Sequence, residues 1–600
     1  MRDGMSRQPD SLAPILTGGR QRLQIGLALL WAVACLTFWV WWLEPAHVVG
    51  TGRFVLVSGL LGWVQVLGLW YVAFTLRAVR SIAPDPVSGR WRVAMITTKT
   101  PSEPWSVVRR TLNAMLAQDH PHDTWLADED PSAETLAWCA AHGVRVSCRK
   151  GVAEYHRATW PRRTRCKEGN LAYFYDHWGY RDYDIVSQLD SDHMPQPGYL
   201  REVLRPFADP AVGYVSAPSI CAANAPENWA ARTRLYAEGP FHGILQAGYT
   251  NGLAPMCIGS HYAVRTVALS EVGGLGPELA EDHSTTLLLN AGGWTGVHAI
   301  DAIAIGDGPA TVGDMVTQEF QWSRSLVTLL LQYTPRYLGR LPWRLRAQFL
   351  FCQLLYPIFA ITMAVMYLLP VSAVVLDIRY VDVTWPAYVL HAAPPALLLL
   401  AISWVQKSSG LFRPVDAQIL GWEKVLFVLL QWPWVAWGCL MAVRDWLSGR
   451  FVDFRITPKG EAARGRLPTR VLLVYAALAL GCLLPVLAVE RLDVAKGFYA
   501  LILVTGLLYT ATVVVIVLRH LSENDWAFVG RVKDAAVQFG ILATLALLAG
   551  FTTSARLAEG VYGLSIGAGR INPVEARFQV AGAGGGMAGR LSYEWAIPWN

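Results

Sequence analysis

Charge is in short supply in this sequence. Only 16% of its 600 residues are Asp, Glu, Lys or Arg, where an average soluble domain carries roughly 25%, and 53% are hydrophobic. A chain built around one soluble core is excluded by that balance. A disordered chain is excluded too, because Leu, Ile, Val and aromatic residues are abundant. The nine cysteines (35, 139, 148, 166, 221, 257, 352, 439 and 482) lack any pairing pattern and never form C-x-x-C. This argues against a zinc site or a disulfide framework and makes them small buried hydrophobes. The 52 Gly and 34 Pro follow no triplet period, so the chain is not collagen-like. A net charge of +6 is too mild to point to nucleic acid, and the positive flanks of membrane helices account for it equally well.

Tryptophan is plentiful, at 26 residues, and it favours membrane interfaces and sugar-stacking surfaces. Apolar runs of about bilayer length, roughly 20 residues, lie at 25–43 and 54–76, spare the middle, and return at 350–369, 387–405, 425–443, 471–489, 498–518 and 535–551. The first run ends in Trp39, Trp41 and Trp42 without a small-residue cleavage site, so it reads as a retained helix. Arg20 and Arg22 before this pair, and Arg77 and Arg80 after it, place both ends in the cytoplasm. Six C-terminal spans would put the basic stretch 444–470 outside, against the positive-inside rule. Laying 425–443 along the inner interface, with Trp432, Pro433 and Trp434 in mid-run, keeps that stretch inside and leaves seven spans. The expected division is an N-terminal segment 1–90 with two spans, a cytosolic domain 91–346, a membrane region 347–551 and a tail 552–600. The tail, Gly-rich at 581–589, reads as irregular or weakly β.

The middle domain alternates apolar strand patterns, at 92–98, 124–127 and 185–189, with helical ones. That spacing suggests a doubly wound sheet, in which ligands bind beyond the carboxyl ends of the strands. Acids gather there. Asp190-Ser191-Asp192-His193 follows the strand at 185–189, Asp128 with Glu129 and Asp130 ends an earlier one, and Glu281-Asp282 precedes a helical pattern. The paired carboxylates Asp190 and Asp192 suit a hard cation, Mg²⁺ or Mn²⁺, of the kind that bridges the phosphates of a nucleotide sugar. Taken singly, these acids also read as turn residues or helix caps, and Lys167 as a solvated lysine.

Order changes that reading. The succession Asp128, Lys167-x-Gly169-Asn170, Asp190-x-Asp192, Cys257-x-Gly259-Ser260, Glu281-Asp282, Gln318-x-x-x-Trp322 and Phe454-Arg455-Ile456-Thr457-Pro458-Lys459 resembles the processive family 2 glycosyltransferases. Bacterial cellulose synthase and curdlan-type β-glucan synthases are the nearest shapes, and the resemblance runs over about residues 25–550. It implies an α/β glycosyltransferase domain of the GT-A type, a doubly wound mixed sheet, inserted in an α-helical transmembrane bundle. It further implies an inverting enzyme that builds β-linkages and threads the chain through its own helices.

By the same resemblance Asp128 and Lys167 meet the donor nucleotide, Asp190 supports the donor and Asp192 holds the metal at the diphosphate. Asp282, beside Glu281, is the general base that takes the proton from the acceptor hydroxyl. Gln318, Trp322, Cys257, Gly259 and Ser260 line the acceptor end. Phe454, Arg455, Thr457 and Lys459 belong to a gating loop at 450–461. The implied partners are a UDP-sugar, the growing polysaccharide, the bilayer and periplasmic or export subunits, with the protein in the inner membrane and no nucleic acid involved.

Three departures from the family pattern stand out. Gln321 occupies the place where the family usually has Arg, and Arg324 is the nearby candidate to replace that cation. Glu129 stands for a second Asp, and Ala280 for the Thr before Glu281. No R-x-x-x-R with D-x-S-x-x-G, the mark of a cyclic-di-GMP-binding domain, follows the last span, so regulation by that nucleotide is not expected within this sequence. The leading expectation is a β-glucan synthase using UDP-glucose. The alternatives are a chitin- or hyaluronan-like synthase, a non-processive transferase acting on a lipid, and a catalytically inert transporter.

Overall fold

The computed structural model describes residues 11–449, 466–524, 532–568, 572–581 and 588–596. Two long helices come first, α1 (Gly18–Trp42) and α2 (Thr51–Thr75). Of the strands that follow, seven make up the main sheet: β1 (Val93–Lys99), β2 (Asp123–Asp128), β3 (Arg145–Ser147), β4 (Ile185–Leu189), β5 (Val212–Ser216), β6 (His261–Arg265) and β7 (Thr295–His298). They form one sheet in the order β7-β5-β6-β4-β1-β2-β3. Strand β6 runs antiparallel to both its neighbours, β4 and β5, and the remaining pairs are parallel, so the sheet is mixed. Helices α3 (Trp105–Leu116), α4 (Lys167–Phe174), α5 (Trp229–Pro240) and α6 (Glu281–Ala291) lie between strands, and α7 (Val312–Thr328) comes after them.

Side chains alternate across a strand, and here both faces are covered. Val93 and Met95 of β1 enter one core with Val108, Leu112 and Met115 of α3. Ala94 and Ile96 enter the other with Leu171 and Phe174 of α4. Covering on both sides is why these strands read as short apolar runs without a polar stripe.

Three long helices continue the chain: α8 (Trp343–Leu376), α9 (Trp385–Ser408) and α10 (Trp422–Ser448). After them come α11 (Thr469–Ala488), α12 (Gly497–Glu523) and α13 (Val532–Ser565). Among the described residues eight helices, α1, α2 and α8 to α13, are long and apolar enough to cross a membrane, in keeping with a transmembrane bundle.

The chain divides into two compact units: Met1–Arg22, Tyr71–Ala360 and Trp404–Gly465 in one, and Leu23–Trp70, Ile361–Ser403 and Arg466–Asn600 in the other. The first holds the sheet and also α10. That helix packs on α7 and α5, and the contact is close because a Cβ on Gly438 would strike Ser323 Oγ and the Phe320 carbonyl of α7. Acids near both its ends are tied to the same unit: Glu423 pairs with Arg232 of α5 at 2.8 Å and Asp445 with Arg324 of α7 at 2.5 Å. In the second unit α11, α12 and α13 pack together through small residues, with Gly560 of α13 against Ala500 and Gly506 of α12 against Leu483. The tail forms a hairpin, β8 (Val574–Ala581) with β9 (Ala588–Trp595), in which Phe578 faces Leu591. Phe454, Arg455, Thr457 and Lys459 lie outside the described residues.

Candidate active site

Parallel pairing brings the carboxyl ends of β1, β2 and β4 to one edge, where open α/β sheets bind ligands. Lys99 closes β1 directly opposite Asp128, which closes β2. The two pair at 3.0 Å with Asp128 wholly buried, and Asp128 also accepts the Asp130 N–H at 3.0 Å. Asp190 follows β4. Because β6 is antiparallel and His261 stands opposite Leu189, the Gly259-Ser260 turn falls beside Asp190, whose N–H donates to the Ser260 carbonyl at 2.7 Å.

Lys167, the first residue of α4, joins these pieces. Its ammonium donates to Asp190 Oδ1 at 2.7 Å and to the Gly259 carbonyl at 2.5 Å. Burial alone would lower its pKa, but Asp190, Glu281 and Asp282 outweigh that and hold it above the usual lysine value. Asp282 sits on the first turn of α6, where the helix dipole favours a carboxylate. It lies against Gly259: a Cβ there would come within 3.2 Å of Asp282 Oδ2. Burial raises Asp282 above the ordinary carboxylate range, opposed by the His283 and Gly259 N–H groups and by Lys167. Burial raises Glu281 as well, with Lys167 opposing and the Asp282 charge adding to the rise. A partly buried carboxylate that is more basic than usual, held by backbone N–H groups beside a lysine, suits removal of a proton.

The Asp190-x-Asp192 pair is fixed through its middle residue. Ser191 Oγ donates to Glu103 at 2.5 Å, Glu103 accepts the Thr100 N–H at 2.8 Å, and Thr111 Oγ1 donates to the Ser191 carbonyl at 2.7 Å. His193 Nδ1 lies 3.2 Å from Asp192 Oδ1, and Gly306 leaves the room its ring needs. One ligand atom from each of Asp190, Asp192 and His193 falls within 4.8 Å of the others. Two carboxylates and an imidazole fit a divalent cation, carboxylates serving Mg²⁺ or Mn²⁺ and the imidazole favouring the transition metal.

Helix α7 carries Gln318 and Trp322 one turn apart, and Ser325, the next residue on that face, accepts the Ala280 N–H at 3.0 Å immediately before Glu281. The expected acceptor clamp is thereby anchored to the segment that bears the acids. Arg324 turns elsewhere, both of its bonding nitrogens reaching Asp445 Oδ2 at 2.8 and 2.5 Å. A different cation is present: Arg234 of α5 donates to Gln318 Oε1 at 2.8 Å and lies 4.1 Å above the Trp322 ring. Ser260 and Gly259 are at the site edge, while Cys257 is buried in the core with Tyr214 and Tyr262 and donates its N–H to Thr286. Glu129 is bound by the buried Arg149. Lys99, Glu103, Thr111 and Arg234 escaped sequence reasoning; Lys99 alone had a signal, as a lysine ending a buried strand.

The seven-stranded mixed sheet with acids at its strand ends is GT-A-like in fold. Residues 185–405 match the model described as "Glycosyl transferase family group 2". The chain is 28% identical over 331 residues to the cellulose synthase catalytic subunit [UDP-forming] of Xanthomonas axonopodis pv. citri, covering 52% of this chain and 43% of that protein. It is 25% identical over 350 residues to cellulose synthase 1 of Komagataeibacter xylinus, covering 55% of this chain and 21% of that protein. The match therefore spans less than half the length of these relatives. Among solved structures, a mannosyltransferase from Pyrobaculum calidifontis in complex with GDP-Man and Mn²⁺ aligns with a TM-score of 0.37 at 13% identity, over 71% of this chain and 99% of that one. Glucosyl-3-phosphoglycerate synthase from Mycobacterium tuberculosis, in complex with Mn²⁺, UDP-glucose and phosphoglyceric acid, aligns at 0.27 and 15%, over 42% and 81%. Residues 185–405 thus resemble a family 2 glycosyltransferase domain, and about half of the chain is similar in sequence to cellulose synthases. With its eight apolar helices, it is a membrane protein.

Proposed function

We propose that this protein is a membrane-embedded, processive, inverting glycosyltransferase that polymerises a β-glucan from UDP-glucose and passes it across the inner membrane. The observation that carries the reading is the convergence of Lys167, Asp190, Gly259 and Asp282, drawn from four separate segments, at the carboxyl edge of the sheet. In this reading Asp282 takes the proton from the acceptor hydroxyl, with Glu281 beside it, as that oxygen attacks the anomeric carbon from the face opposite the departing UDP. Lys167 and Asp128 hold the nucleotide, and Gln318 and Trp322 hold the sugar end. Gly259 and Ser260 form the wall of the acceptor pocket and Cys257 packs behind it. Asp190 and Asp192 hold Mg²⁺ or Mn²⁺, which when bound offsets charge on the diphosphate.

The sheet domain faces the cytoplasm, bounded near residues 91 and 346, and α10 lies along the inner interface, tied down by Glu423 and Asp445. In this reading Phe454, Arg455, Thr457 and Lys459, which lie outside the described residues, serve the nucleotide from the cytoplasmic side. Polymerising into a helix-lined path spares a hydrophilic chain a separate crossing of hydrocarbon, and export subunits beyond the membrane would receive it.

The test is transfer from radiolabelled UDP-glucose by the full chain in lipid nanodiscs with Mg²⁺. A high polymer degraded by a linkage-specific β-glucanase is expected, and a short, organic-soluble glycolipid would overturn processive synthesis. Asp282→Asn should lower the transfer rate by about 10²- to 10⁴-fold while calorimetric affinity for UDP stays near that of the unaltered protein. Equal loss of UDP affinity would refute the general-base role.

A further inference from the structure

An arginine side chain rarely lies buried unless something holds it. Arg234 is only 11% exposed, and its guanidinium is held on three sides. Nε donates to Glu238, one turn on in the same helix, at 3.1 Å; Nη1 donates to Gln318 Oε1 at 2.8 Å; and the plane covers the Trp322 indole at 4.1 Å. Two members of the expected sugar clamp, from a helix 84 residues away in sequence, are thus gripped by one planar cation. Burial alone would lower the guanidinium, but Glu238 outweighs it and keeps the charge. Glu238 is held down at about 2 against its own burial by Arg234 and His242.

The position of α5 matters as much as the contacts. Gly308 lets the helix approach closely, since a Cβ there would lie 2.6 Å from Ala231 and 3.2 Å from the Cys221 carbonyl. The Cys221 thiol in turn lies 4.0 Å from His193 Nε2, next to Asp192, and within electrostatic reach of Arg234. Arg234 therefore touches Trp322 and is within electrostatic reach of a thiol that contacts the metal-ligand cluster. Nε and one nitrogen of the fork are engaged, and among the described residues no protein group takes Nη2. A guanidinium has five N–H donors, so donors remain for an oxygen-rich ligand resting against Trp322.

We propose that Arg234 is a binding and positioning residue of the acceptor subsite, locking Trp322 and Gln318 in place and donating through Nη2 to an oxygen of the sugar end. It is the cation of this clamp in a chain that has Gln321 on α7 and commits Arg324 to Asp445. One face of the indole is occupied by the guanidinium, so a sugar ring meets Trp322 on the other face or at its edge. The inference rests on the reading of Gln318 and Trp322 as the acceptor end.

The experiment uses the full chain in nanodiscs and two probes, UDP with Mg²⁺ and a soluble cello-oligosaccharide, each titrated by calorimetry, alongside transfer kinetics with UDP-glucose. Arg234→Ala and Trp322→Ala should each weaken oligosaccharide binding about 10- to 100-fold, the scale of one charge-assisted contact. UDP affinity should change by less than about twofold, as expected if only the acceptor contact is lost. The two substitutions together should cost less than the product of their separate effects, because one contact is shared. Arg234→Lys keeps the charge without the planar fork and should recover part of the loss; it also serves as the test if Arg234→Ala does not accumulate. Oligosaccharide binding unchanged in both Arg234 variants overturns the assignment, as does a matching fall in UDP affinity, which would move Arg234 to the donor phosphates. Turnover of UDP-glucose unaffected by Arg234→Ala would sink this inference alone. Oligosaccharide binding that depends on Arg234 in a protein with no transferase activity would sink the proposed function alone.

Discussion

Lys167 is the side chain on which the site's electrostatics turn. It donates to Asp190 and to the Gly259 carbonyl, and its charge opposes the rise that burial imposes on Glu281 and Asp282. If Asp282 is the base proposed above it must be deprotonated to act, so activity is expected to fall as pH drops through its pKa, with that limb above the ordinary aspartate range because burial raises the group. Removing the lysine removes the term that favours the carboxylate. Lys167→Met is therefore expected to move the acid limb of the rate–pH profile to higher pH, by about one unit or more for a charge lost at close range. An unmoved limb with a lowered plateau would mean that Lys167 acts on binding and leaves the base alone. Gly259 is the other sensitive point, because its missing Cβ is the space Asp282 uses.

Among the elements, α7 and α10 pack closely in the unit that holds the sheet. Gly438 is the reason: its neighbours across the contact include a backbone carbonyl, Phe320 O, which no side-chain rotation can move aside. Gly438→Val should separate the two helices and destabilise the protein by about 1–3 kcal/mol, the usual scale of overpacking. A fall in the detergent melting temperature checks this, together with reduced transfer because α7 also carries Gln318 and Trp322. A melting temperature equal to that of the unaltered protein would show that the helices part without cost. The ion pair of Arg324 with Asp445 belongs to the same junction, and this explains why that arginine is not the substitute its sequence position suggests.

For the whole molecule, the question is which side of the membrane each segment occupies. Among the described residues eight helices have the length and composition to cross, yet α10 is packed into the unit that contains the sheet. If α10 lies along the interface, a reporter at Lys459 and one within the sheet domain will both read cytoplasmic. A periplasmic signal at Lys459 would mean that α10 crosses, and the basic stretch that follows it would then sit outside against its charge.

The sequence on its own determined the broad chemistry of this protein. Low charge and long apolar runs established a membrane chain, since they depend on composition and local order. The acids at 128, 190, 192 and 282 were legible because strand ends and helix starts leave marks within a few neighbouring residues. Tertiary structure decided which distant residues meet. Lys99 faces Asp128 across 29 positions, Glu103 reaches Ser191 across 88, and Arg234 reaches Gln318 across 84. None of these pairings has a local period or spacing. Each exists because a strand register or a glycine-permitted helix contact carries two remote segments to hydrogen-bonding distance, and burial then makes the pairing obligatory.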